Sequence, residues 1–188
     1  MRLLLGLSRL IDRLNDWIGK IVAWCVLIAV LISAGNAVIR YSLNESSNAW
    51  LEWQWYLFSA VFLLCAGYTL LRNEHVRIDV ISGQLSPRTR AWIDVIGSLL
   101  FLLPMAVIIG WLSWPMVVDS YMRHEISGDA GGLLRWPVKL LMPIGFALLA
   151  LQGVSELIKR IAYLCGLIPD PTRKRHGPHA DPTQSEPV

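Results

Sequence analysis

The stretch RNEHVRID, residues 72–79, gathers four formal charges and one histidine into eight positions. His75 and Asp79 stand four apart, and Glu74 and Arg77 three apart, so either pair would touch on a helix. A metal centre would draw on the imidazole and the two carboxylates. A metal site would want more ligands than one histidine and two carboxylates at this spacing supply. The segment reads instead as a charged turn, anchoring the inner end of one membrane span and meeting lipid headgroups or another chain.

The remaining titratable residues point the same way. His124 and Glu125 fall in DSYMRHEISGDAGGLLRWP, and His176 and His179 in the C-terminal tail. A haem b anchor needs axial ligands within or at the ends of helices. Only His75 and His124 flank apolar runs, and they flank opposite ends. Glu52, Asp94 and Glu156 also lie at run ends, so no carboxylate stands mid-run where a self-sufficient transporter would hold its coupling acid. There is no nucleotide-binding loop, zinc-protease helix or nucleophile elbow. Neither an enzyme nor a bound cofactor or metal is expected. Cys25, Cys65 and Cys165 lie in apolar sequence without paired spacing, and no structural disulfide is expected.

The elements that carry these residues are apolar helices. Of 188 residues 54% are hydrophobic and 16% charged, and the charges fall in clusters. Uncharged runs cover 21–39, 53–71, 95–118 and 140–155. About 20 apolar residues cross a hydrocarbon core of about 30 Å. The fourth run reaches that length when Lys139 snorkels to the headgroups. The expected fold is an all-α integral membrane protein with transmembrane helices at 18–39, 51–71, 92–118 and 137–158, within a domain 17–165.

Extensions surround the spans. In residues 1–16 Leu3, Leu7, Leu10, Ile11 and Leu14 recur every three or four positions between charges, which predicts an amphipathic interfacial helix. Ser86 followed by Pro87 is a helix start. A third helix counted from there is overlong, so it tilts or lays its first turns in the interface, and Pro104 kinks it. Trp50, Trp53, Trp55 and Tyr56 form an aromatic belt. Residues 166–188, rich in proline and poor in apolar residues, read as a disordered tail.

Thirteen of the seventeen Lys and Arg lie before span 1, between spans 2 and 3, or after span 4, and four lie on the other side. The positive-inside rule places both termini and RNEHVRID in the cytoplasm. The net charge of +3 then reflects a basic membrane face and not nucleic-acid binding. In span 1 the small residues Ala29, Ser33 and Ala37 share a face bordered by Asn36, and span 2 carries Gly67. Such positions let helices approach closely, and a carboxamide in hydrocarbon needs a partner.

The sequence WLEWQWYLFSAVFLLCAGYTLLRNEHVRIDVI resembles the small permease subunit of tripartite ATP-independent periplasmic (TRAP) transporters. The family hallmark is an acid and tryptophan opening the second span, a glycine near its inner end, then a basic residue, a histidine and Arg-x-Asp. Glu52, Trp53, Gly67, Arg72, His75, Arg77 and Asp79 stand at those positions. GGLLRWPVKLLMPIGFALLALQGVSELI is similar to the family's last span, with Leu134 where proline often follows Gly-Leu. The likeness covers about residues 10–165.

The resemblance implies a bacterial inner-membrane subunit that braces a large multi-spanning permease. That permease carries an organic acid or similar solute inward, coupled to sodium, after delivery by a periplasmic binding protein. On this reading Glu52, Trp53, Arg72, His75, Arg77 and Asp79 contact the large subunit or form the hinge. Arg123, Glu125, Asp129 and Arg135 face the binding protein, and membrane lipids cover the rest. The alternative is a membrane anchor for a haem b redox complex.

Overall fold

A computed structural model describes residues 2–43, 48–72, 85–129 and 132–169. Four helices in it are long and apolar enough to cross a membrane. The predicted spans all fall within them. Part of RNEHVRID (residues 73–79) and the tail from residue 170 lie outside the described residues.

Helix α1 (Arg2–Leu43) runs unbroken for 42 residues, because no proline interrupts it. At about 1.5 Å per residue it is roughly 63 Å long, twice a hydrocarbon core. The amphipathic stretch and the first span are thus parts of one helix. Its first half has three faces. Ser8, Ile11, Asn15 and Val22 are buried; Leu3, Leu7, Leu10, Leu14, Trp17 and Trp24 point outward. Arg9, Arg13 and Lys20 form a third, exposed side. Polar Ser8 and Asn15 share the buried face with Ile11 and Val22, while a stripe of leucines and tryptophans faces away, which a water-soluble bundle would not allow.

Helix α2 (Asn48–Arg72) returns beside α1. Helix α3 (Pro87–Gly97) begins where the sequence predicts. Ser86 has extended backbone and its hydroxyl accepts the Thr89 N–H at 3.2 Å, while Pro87 costs no hydrogen bond at the first helical position. A π-helical turn (Ser98–Leu102) follows, in which the Leu103 N–H reaches back five residues to the Ser98 carbonyl. Helix α4 (Leu103–Met122) continues, with Pro104 in its first turn. A proline ring crowds the carbonyl four residues earlier, and a widened turn makes room for it. Helix α5 (Trp136–Leu164) closes the fold and packs against each of the other helices.

The start of α1, the end of α2, α3 and the end of α5 gather at one end of the bundle, the terminal end. The connection between α4 and α5 caps the opposite, loop end. Close approach depends on glycines. A Cβ at Gly67 would collide with the Asn15 side chain and lie 3.2 Å from the Leu148 carbonyl oxygen, so three helices meet there. A Cβ at Gly145 would lie 2.6 Å from the Leu63 carbonyl oxygen. Small residues bring backbones together where no hydrophobic effect drives helices to associate.

Candidate functional site

At the terminal end a polar lattice joins α1 to α5. Ser8, Asp12 and Asn15 recur at spacings of four and three; Gln152, Ser155, Glu156 and Lys159 answer them on one face of α5. The Ser8 and Ser155 hydroxyls lie 2.8 Å apart. Asp12 Oδ1 accepts from Ser155 Oγ at 2.7 Å and from Gln152 Nε2 at 2.9 Å. Asn15 Nδ2 donates to Gln152 Oε1 at 3.0 Å. Lys159 Nζ bridges Asp12 at 3.0 Å and Glu156 at 2.6 Å. Gln152 and Asn15 are completely buried.

Two further ion pairs flank this lattice. Arg160, itself buried, reaches Asp94 of α3 at 3.1 Å. Arg72 at the end of α2 pairs with Asp16, which also holds Lys20 at 2.6 Å, and its guanidinium lies 5.2 Å from the Tyr68 ring centroid. Each carboxylate named here meets a cation, and most amide and hydroxyl groups meet a partner on another helix. In low dielectric such a network is costly to break, so it fixes how the helices sit together. Its chemistry is cohesion.

The loop end carries a second clamp. Glu52, buried in the first turns of α2, accepts the Leu133 N–H at 2.6 Å, and the Tyr56 hydroxyl donates to the Leu134 carbonyl at 2.8 Å. The loop folds back on itself through an antiparallel bridge between Ile126 and Leu134, after His124 turns the chain with φ of 49°. Glu125 takes a salt bridge from Lys139 and a longer one, 3.7 Å, from Arg135. The Lys139 ammonium bonded to the Glu125 carboxylate, helped by the Arg135 charge, holds that carboxyl below its ordinary 4.5. Lys139 therefore spends its charge on the loop as well as lying at the start of α5.

The sequence-predicted residues divide between these places. Glu52 and Arg72 belong to the two clamps. Trp53 stays half exposed with its ring 6.4 Å from that of Tyr56. His75, Arg77 and Asp79 lie outside the described residues. In the loop, Glu125 and Arg135 pair with each other, Arg123 pairs with Asp119 at 2.7 Å, and Asp129 is exposed with its carbonyl accepting the Gly132 N–H. Of the packing residues, Gly67, Ala29 and Asn36 are buried. Ser33 and Ala37 are exposed and line an open groove between α1 and α2.

Sequence reasoning did not pick out Ser8, Asn15, Gln152, Ser155 or Lys159 as interacting residues. The signal was available: two helices with polar residues in matching three-and-four spacing. In α1 it was masked by Arg9, Arg13 and Asp16, which make the whole stretch look like a solvated face.

A family model described as "Tripartite ATP-independent periplasmic transporters, DctQ component" matches residues 29–162, most of the chain. The chain belongs to the DctQ family. It is accordingly the small membrane subunit of a TRAP transporter, a transporter component built on four membrane-spanning helices. The match takes in the loop-end clamp and the α5 half of the lattice, and begins after the α1 half. No curated protein and no solved structure matches the chain.

Proposed function

We propose that this DctQ-family chain is a rigid brace for the large permease subunit of its transporter, in the bacterial inner membrane. The large subunit moves an organic acid or similar solute inward, coupled to sodium, and a periplasmic binding protein delivers it. Both termini and the segment from Arg72 to Asp79 face the cytoplasm, in keeping with the charge asymmetry. The exposed charges of the loop, among them Arg123 and Asp129, face the periplasm and suit transient docking. Glu52, Trp53, Arg72, His75, Arg77 and Asp79 lie at or near the two span ends where the large subunit makes contact.

The observation that carries the brace reading is the pairing of polar groups. Asp12, Asp94 and Asp16 at the terminal end, and Glu52 and Glu125 at the loop end, are each engaged by another helix or by the loop, and Glu156 is held by Lys159 of its own helix. Side chains committed in this way hold a shape. A solute pathway would instead keep polar groups available to exchange partners.

Reconstitution tests the proposal. Liposomes with this chain, the large subunit and the binding protein should take up solute under an inward sodium gradient, and omission of any one component should abolish uptake. Flux through liposomes holding this chain alone would overturn the brace reading. Labelling of single cysteines at the two ends from outside intact cells tests the orientation, with both ends expected to be shielded.

A further inference from the structure

Toward the loop end the small-residue face of α1 is left without a helix on it. Ser33, Asn36, Ala37 and Arg40 of α1, with Leu51 and Gln54 of α2, line a groove of about 590 Å³. A second hollow of about 380 Å³ extends it past Ala34 to Phe58. Asn36 is only 9% exposed, and it lines the groove. Neither Asn36 nor Gln54 has a hydrogen-bond partner among the described residues. Elsewhere a buried amide finds a partner on another helix, Asn15 Nδ2 donating to Gln152 Oε1 at 3.0 Å, although Asn15 Oδ1 is left without one.

A carboxamide in hydrocarbon is costly until something bonds to it, and a lipid chain offers nothing. Serine and alanine at the groove floor admit a helix backbone at close range. A second copy of this chain is a poorer occupant. Two-fold pairing across the groove would bring the Arg40 residues of both copies together at its mouth.

We propose that this groove seats a transmembrane helix of the large permease subunit. That helix packs on Ser33 and Ala37, and a serine, threonine or amide side chain on it bonds Asn36 and Gln54. An acidic group or a carbonyl meets Arg40. The inference rests on the brace reading and names the face through which the bracing is done.

Photocrosslinking in the intact, co-expressed complex tests it. A diazirine amino acid at the position of Ala37 is expected to give an adduct with the mass of this chain plus the large subunit. Adducts only with lipid, or with a second copy of this chain, would overturn the proposal. So would large-subunit adducts obtained from the position of Trp111, exposed beside the hollow between α4 and α5, with none from Ala37; that result would leave the brace reading intact. If no large subunit co-purifies with the unmodified chain, the brace reading itself falls. As a second measurement, Asn36→Leu should lower the large subunit recovered with this chain by about tenfold, the loss of one good intramembrane contact. The melting of the isolated chain should be unchanged. Undiminished recovery would refute the role of Asn36.

Discussion

Lys159 is the one cation between Asp12 and Glu156 in the lattice, so its removal leaves two carboxylates facing each other. Lys159→Met should destabilise the chain by about 2 kcal/mol, below the roughly 3–5 kcal/mol of a sealed pair, because Asp12 keeps a quarter of its exposure. The neutral triple variant D12N/E156Q/K159M should recover most of that loss, read as the melting temperature in detergent. An equal loss in both variants would mean that the charges do not act on one another. Glu125 makes a pH prediction. Its carboxyl is depressed in the folded protein, so the clamp it forms with Lys139 is fully present above its ordinary 4.5 and is lost as pH falls through the lower folded value. Amide protection in the loop, taken relative to the intrinsic exchange rate at each pH, should therefore hold down to about 4.5 and fall only in stronger acid. Glu125→Gln should exchange quickly throughout.

Among the elements, the junction of α3 and α4 is informative. The π-helical turn just before Pro104 inserts an extra residue into the helix, and each residue turns a helix by about 100°. That offset sets the direction in which α3 points Asp94, which is toward Arg160. Pro104→Ala restores an N–H and removes the ring, so the regular spacing can close. A double-mutant cycle between Asp94 and Arg160 should show coupling in the parent and little in the Pro104→Ala background. The packing of α2 is equally specific. Gly67→Val places atoms where Asn15 and the Leu148 carbonyl already sit, and overpacking of this kind costs about 1–3 kcal/mol. Thermal melting should report it, while Gly35→Val, where a Cβ meets open space, should change little.

For the whole molecule, hydropathy and charge clustering made the four helices legible in advance, and Ser86–Pro87 marked a helix start, because each follows from a local property of the chain. The lattice was not legible in that way. Ser8, Asp12 and Asn15 are no more polar than Arg9, Arg13 and Lys20, and only the rotation of α1 against α5 decides which set faces inward. The loop clamp was half visible. Glu52 stood out in an aromatic span opening, but its partner is a backbone N–H at Leu133, which no side-chain pattern announces. Residues 2–16 prove to be part of the packed bundle, with Ser8, Ile11 and Asn15 buried against it. Their deletion should strip the α1 partners from Gln152, Ser155 and Lys159, and the shortened chain should melt lower and recover less large subunit.

Ser8 and Ser155 meet across 147 positions of sequence. In synthesis α1 emerges before α5, so the inward hydroxyl, carboxylate and amide of α1 wait through the making of the intervening helices before their counterparts arrive. During that interval the nascent protein holds an unsatisfied polar stripe beside lipid. A stalled ribosome or a slow codon late in the message would lengthen the exposure. The newborn chain is then most open to chaperones and membrane proteases until its final helix inserts.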